Sequence, residues 1–144
     1  MAASKRDAER LGVVLIGHGA PATDCPPQLI GELMSLQWRA GACPGGHHHE
    51  PTGRAAELDA QIRNWPRRDG NDPYKAGLEQ LAAALALLVP TRRLAVGYNE
   101  FCRPTISEAI EDVIGQGATR VLVIPSMLTP GGLHSEIDIP HALE

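Results

Sequence analysis

Apolar positions along this chain follow two periods. Val13, Val14, Leu15 and Ile16 form a continuous branched aliphatic run between Gly12 and Gly17. Such a run is too short for a core helix and reads as a strand buried on both faces, with glycine allowing a tight exit. Arg93 to Tyr98 reads as a second strand and Arg120 to Pro125 as a third buried one. Elsewhere the period is helical. Leu29, Ile30, Leu33 and Met34 predict a helix opened by Pro26 or Pro27 and running to about Arg39. Ala55, Leu58, Ile62 and Trp65 predict a short amphipathic helix closed by Pro66. Behind an Asp72 cap and Pro73, Tyr74, Leu78, Leu81, Leu85 and Leu88 trace one stripe of a helix ending before Pro90. Thr105 and Glu108 make a capping-box pattern ahead of Ile106, Ala109, Ile110, Val113 and Ile114, with a stop at Gly115 or Gly117. Ile137, Asp138, Ile139 and Pro140 start one more helix.

This alternation predicts an α/β fold: a parallel sheet of three to four strands flanked by helices, in a three-layer Rossmann-like arrangement. Right-handed crossovers place the C-terminal ends of all strands on one edge, where open α/β sheets bind ligands. The 144 residues read as a single domain. Residues 41–71 read as an insertion containing an exposed loop with His47, His48 and His49.

Composition narrows the function. Aromatic residues make up 3% of the chain and the formal net charge is −4, which argues against nucleic acid as a partner. Cys25, Cys43 and Cys102 form no C-x-x-C pair and read as reduced thiols. No apolar segment approaches the about 18 residues of a membrane span, and the charged N-terminus does not resemble a signal sequence, so a cytoplasmic protein without membrane partners is expected. The loop after the first strand lacks the Gly-Lys-Ser/Thr of a P-loop, the Gly-x-Ser-x-Gly of a nucleophile elbow and the spacing of a dinucleotide fingerprint. No organic cofactor is expected.

Three loops leaving strand ends on the common edge carry His18, Glu100 and His134. Two imidazoles and a carboxylate suit a divalent first-row metal, and the same groups can accept protons near neutral pH. The plainer alternative leaves Glu100 as a helix cap or a solvated carboxylate, and the histidines bonded to loop backbone.

Four motifs go further: Gly17-His18-Gly19-Ala20; Asn99-Glu100 with Pro104 downstream; Gly117-Ala118-Thr119-Arg120; and Pro125 through Gly132-Leu133-His134-Ser135-Glu136-Ile137-Asp138-Ile139-Pro140. Together they resemble the class II chelatase family, which includes sirohydrochlorin cobaltochelatases and ferrochelatases and is related in fold to protoporphyrin ferrochelatase. The resemblance covers about half the chain, chiefly residues 11–20 and 93–141. It implies that His18, His134 and Glu100 handle the metal and the protons. It also implies that Gly17, Gly19, Ala20, Gly131 and Gly132 border a tetrapyrrole. The metal, Co²⁺, Fe²⁺ or Ni²⁺, would be a substrate, and the chain would pair as a homodimer, as short members do. A non-catalytic metal- or tetrapyrrole-binding subunit is the alternative. Two features depart from the family pattern. Residues 41–71 are longer than in compact members, and His47-His48-His49 with Glu50 invites a metal-delivery reading. The family pattern also continues beyond the Asp-Ile-Pro motif, whereas this sequence stops at Glu144, as expected of a fragment or of a half-domain completed by another chain.

Overall fold

Strand β1 (Leu11–Gly17) is the centre of the sheet, and its side chains show it: Val13, Val14, Leu15 and Ile16 are each at most 2% exposed. The computed structural model describes residues 10–41, 51–127, 132, 136 and 138–144. Among these, β1 is followed by helices α1 (Pro27–Arg39), α2 (Gly53–Arg63) and α3 (Pro73–Ala86). Then come β2 (Leu94–Tyr98), α4 (Ile106–Gly115), β3 (Arg120–Pro125) and the short α5 (Ile139–Ala142). The strands are parallel in the order β2-β1-β3, giving the expected α/β fold with a three-stranded sheet. A central parallel strand covered on both faces needs apolar side chains at every position, which is why β1 shows no alternation.

Helix α4 covers one face. Ile106, Ala109 and Val113 pack there with Val14, Ile16 and Ala95, and Ile139 of α5 joins the same cluster. The helix approaches closely because Gly12 and Gly97 lack side chains: a Cβ on Gly12 would lie 2.9 Å from the Cβ atoms of Val113 and Ala118. The capping box forms as expected, with Thr105 Oγ1 accepting the Glu108 N–H at 3.2 Å and Glu108 Oε2 accepting the Thr105 N–H at 2.8 Å. Helix α3 covers the other face, with Leu78 and Ala82 against Leu15, Tyr98 and Cys102. The Asp72 carboxylate caps it by accepting the Lys75 N–H at 2.9 Å, and Pro73 occupies its first turn.

Two expectations are corrected. The third strand is not buried: among the described residues β3 is an edge, and its Leu122 is 49% exposed, because the order β2-β1-β3 gives it one neighbour there. The apolar stripe of α3 also runs elsewhere. Leu78, Ala82 and Leu85 face the sheet, while Leu81 is 49% exposed and Leu88, beyond the helix end, is 83% exposed. A helix packed over the edge strand β2 buries a narrower face than its leucines could supply.

Helices α1 and α2 build a separate small core in which Ala22, Cys25, Leu33, Leu58 and Ile62 are all buried. An Arg54–Glu32 ion pair at 2.9 Å joins the two helices on the outside. Phe101 and Trp65 pack against this cluster from the loops at the C-terminal edge of the sheet. The described part of the expected insertion is therefore packed on α1 and adjoins that edge; His47, His48 and His49 lie outside the described residues. Cys25 and Cys102 are buried free thiols, and no described helix is long and apolar enough to cross a membrane.

Candidate active site

The parallel ladder continues past the strands, and this brings two of the expected site residues together. Gly17 is in register with Tyr98 at the ends of β1 and β2. Two more rungs follow: the Asn99 N–H donates to the Gly17 carbonyl at 2.9 Å and the Glu100 N–H to the His18 carbonyl at 2.8 Å. His18 and Glu100 thus leave adjacent strands side by side, and His18 Nε2 lies 3.4 Å from Glu100 Oε2. The imidazole is 34% exposed and the carboxylate 26%, so both are seated in the protein yet open to solvent on one side.

The backbone decides how the imidazole is used. His18 Nδ1 is 2.8 Å from the Gly19 carbonyl oxygen, which can only accept, so Nδ1 carries the proton. In the neutral ring Nε2 then holds a lone pair, and it faces a carboxylate oxygen. Two acceptors 3.4 Å apart repel until a cation lies between them. Either a proton or a metal ion can fill that role. An ion about 2.1 Å from each atom would subtend roughly 108°, close to tetrahedral. Among the described residues no three His, Cys, Asp or Glu side chains converge, so His18 and Glu100 stand as a pair there.

The other expected positions divide. His134 and Gly131 lie outside the described residues, while Gly132 and Ala20 are partly exposed. Gly17 and Gly19 are buried by the chain itself. A Cβ on Gly17 would overlap Leu78 Cδ2, and one on Gly19, whose φ is +91°, would overlap the Glu100 carbonyl oxygen. Their missing side chains serve the packing of this turn.

Sequence reasoning missed several neighbours. Tyr74, which the sequence shows only as part of a helical stripe, accepts the His18 N–H on its hydroxyl at 2.8 Å. Phe101, in the left-handed region at φ 59°, lies with its ring centroid 6.3 Å from that of His18. Arg63 and Arg67 donate to carbonyls of the loop that carries Glu100. Two arginines spaced one helical turn apart near Trp65 are the only sequence signal for them, and it does not reveal the partner. Asn71 ties the region together by donating to Asp24 Oδ1 at 3.0 Å and to the Pro66 carbonyl at 2.9 Å.

Comparison with known proteins points the same way as the motifs. The family model described as CbiX matches residues 70–144, a stretch that contains Glu100 and His134 but not His18. A sirohydrochlorin cobaltochelatase of Methanocaldococcus jannaschii is 39% identical over 75 residues, covering 49% of this chain and 50% of that protein. One from Methanococcoides burtonii is 34% identical over 73 residues, covering 50% of this chain and 55% of that protein. One from Methanococcus maripaludis is 50% identical over 48 residues, 33% of each chain. The chain spans about half the length of the curated relatives it matches. The family match takes in just over half of the chain, and with it this chain belongs to the CbiX family.

Proposed function

We propose that this chain inserts Co²⁺ into a sirohydrochlorin-type tetrapyrrole, with His18, Glu100 and His134 handling the metal and the departing protons. The observation that carries the reading is the 3.4 Å opposition of His18 Nε2 and Glu100 Oε2 at the C-terminal edge of the sheet. The names of the relatives, sirohydrochlorin cobaltochelatase, support the same substrate pair. Insertion exchanges one divalent ion for the two pyrrole N–H protons, so metal ligands must let go and proton acceptors must be at hand. A neutral imidazole and a carboxylate can do both, whereas a thiolate site would hold the metal too tightly. Fe²⁺ and Ni²⁺ are the alternative metals. Ala20 and Gly132, with Gly17, Gly19 and Gly131 beside them, would border the ring. Residues 1–144 would act as one domain that pairs with a second copy. The half-exposed edge strand β3 is consistent with such pairing.

The test is direct. The chain is mixed with sirohydrochlorin and Co²⁺, Fe²⁺ or Ni²⁺ in turn, and the visible spectrum is followed for metallated product. His18→Ala and His134→Ala are expected to abolish formation above the uncatalysed rate. Ring binding without metallation would replace this reading with that of a binding subunit, and neither binding nor turnover would overturn both. Light scattering at assay concentration checks the pairing, and a monomer that turns over would remove it.

A further inference from the structure

We infer that Arg63 of α2 is a positioning residue for Glu100, holding the loop that carries it so that the carboxylate meets His18. The inference rests on the reading of Glu100 as a metal- and proton-handling group. Its basis is where the backbone polar groups of the 99–102 segment go. The N–H groups of Asn99 and Glu100 are spent on the carbonyls of Gly17 and His18, at the end of β1 and just past it. Each of the segment's carbonyls has a named partner: that of Glu100 lies against Gly19, and the other three go to Arg63 and Arg67. Arg63 Nη2 donates to the Asn99 carbonyl and Nη1 to the Cys102 carbonyl, both at 2.9 Å. Arg67 Nη2 donates to the Phe101 carbonyl at 2.5 Å, and the Glu100 carbonyl accepts the Cys102 N–H at 2.7 Å. The Arg63 fork therefore brackets Glu100, gripping the chain immediately before it and two residues after it.

The grip is built into the fold. Arg63 is 15% exposed, and its Nε donates to Asp59 Oδ2 at 2.8 Å one turn earlier on α2, so the carboxylate aims the guanidinium. Between the two gripped carbonyls, Phe101 takes a left-handed backbone and packs its ring on the α1–α2 core. A planar fork meets two carbonyls at once, which a lysine ammonium cannot reproduce. This gives part of the expected insertion a role: α2 brings Arg63 to a loop inside the family-matched region, although α2 itself lies outside that region.

The experiment is a double-mutant cycle on the full chain with Arg63→Ala, Glu100→Gln and the pair, read as Co²⁺ insertion into sirohydrochlorin and as Co²⁺ affinity by calorimetry. Arg63→Ala is expected to lower kcat roughly ten- to hundredfold, with KM for the ring within about twofold, as misplacing one group does. In the Glu100→Gln background the same change should do nothing further to kcat or to Co²⁺ affinity. Arg54→Ala, which breaks the α1–α2 ion pair without touching the loop, should keep kcat. If Arg63→Ala does not fold, Arg63→Lys, which keeps the charge and loses the fork, takes its place in the cycle. A loss repeated in full on Glu100→Gln, or matched by Arg54→Ala, would show that Arg63 only supports the fold and would overturn the proposal. Glu100→Gln alone with wild-type turnover and Co²⁺ affinity would instead refute the reading of Glu100 itself, whatever Arg63 does. A wild-type chain without turnover leaves the Co²⁺ affinity cycle to decide.

Discussion

Gly19 sits against the carbonyl oxygen of Glu100, so tightly that a Cβ at position 19 would overlap it. The contact locks the turn after β1 to the loop after β2. It also fixes the Gly19 carbonyl that receives His18 Nδ1–H, so one glycine governs the distance and the tautomer of the pair.

Gly19→Ala should therefore cost more than an ordinary glycine substitution. A left-handed alanine alone costs about 1–2 kcal/mol, and displacing a backbone carbonyl adds to it. The urea midpoint is expected to fall, and Co²⁺ affinity with it, since the loop must move Glu100 to make room. A variant matching the wild type in both would show that the turn yields freely.

The Tyr74 hydroxyl anchors the His18 backbone from α3. Tyr74→Phe removes the acceptor while leaving the ring, and the site is open enough for water to replace it. A loss of about 0.5–1.5 kcal/mol in chemical denaturation is expected, the usual net worth of one hydrogen bond. A loss above 3 kcal/mol would mean that the hydroxyl organises more than this single N–H.

What was legible in the sequence was what is local. The aliphatic run of β1, the Asp72–Pro73 start of α3 and the Thr105–Glu108 box each announce themselves within four residues, and each formed. The meeting of His18 and Glu100 followed from parallel topology, because equal strand ends bring their exit loops together. What depended on distant parts was not legible. Whether 120–125 is central or an edge depends on strand order, and Leu122 reads as a core residue until β3 is seen to have one neighbour among the described residues. Leu81 and Ala82 compete for the buried face of α3, and hydrophobicity favours the wrong one. The partners of Arg63 lie 36 and 39 residues away, beyond any periodic signal.

The box at the start of α4 gives a pH dependence. The Arg103 guanidinium, and next the Thr105 backbone N–H, hold the Glu108 carboxyl below its ordinary value of 4.5. The unfolded chain then binds this proton more readily than the folded one. The stabilisation from Glu108 is present above pH 4.5 and is lost as pH falls through the lowered folded value. Glu108→Gln should flatten the acid limb of a urea-midpoint profile below pH 4.5, and Thr105→Ala should cost about 1 kcal/mol at neutral pH. An acid limb as steep in Glu108→Gln as in the wild type would assign the acid loss to other carboxylates.

At the alkaline end the direction reverses. Cys102 is 1% exposed, and burial pushes its thiol above the ordinary 9.0, against smaller opposing effects of Lys75 and Arg67. Burial likewise raises the Tyr98 phenol. For both groups the folded chain holds the proton more tightly, so stability is intact below pH 9 and declines as pH rises from the unfolded value toward the folded one. The same burial protects the thiol, because the thiolate is the nucleophile. Alkylation by iodoacetamide at pH 8, read by mass on the peptide containing Cys102, should be at least about a hundredfold slower than in urea-unfolded chain, since it must wait for opening. Labelling of Cys102 at the unfolded rate would mean that the Tyr98–Cys102 side of the core opens readily, and the loop gripped by Arg63 could not then hold Glu100 in place.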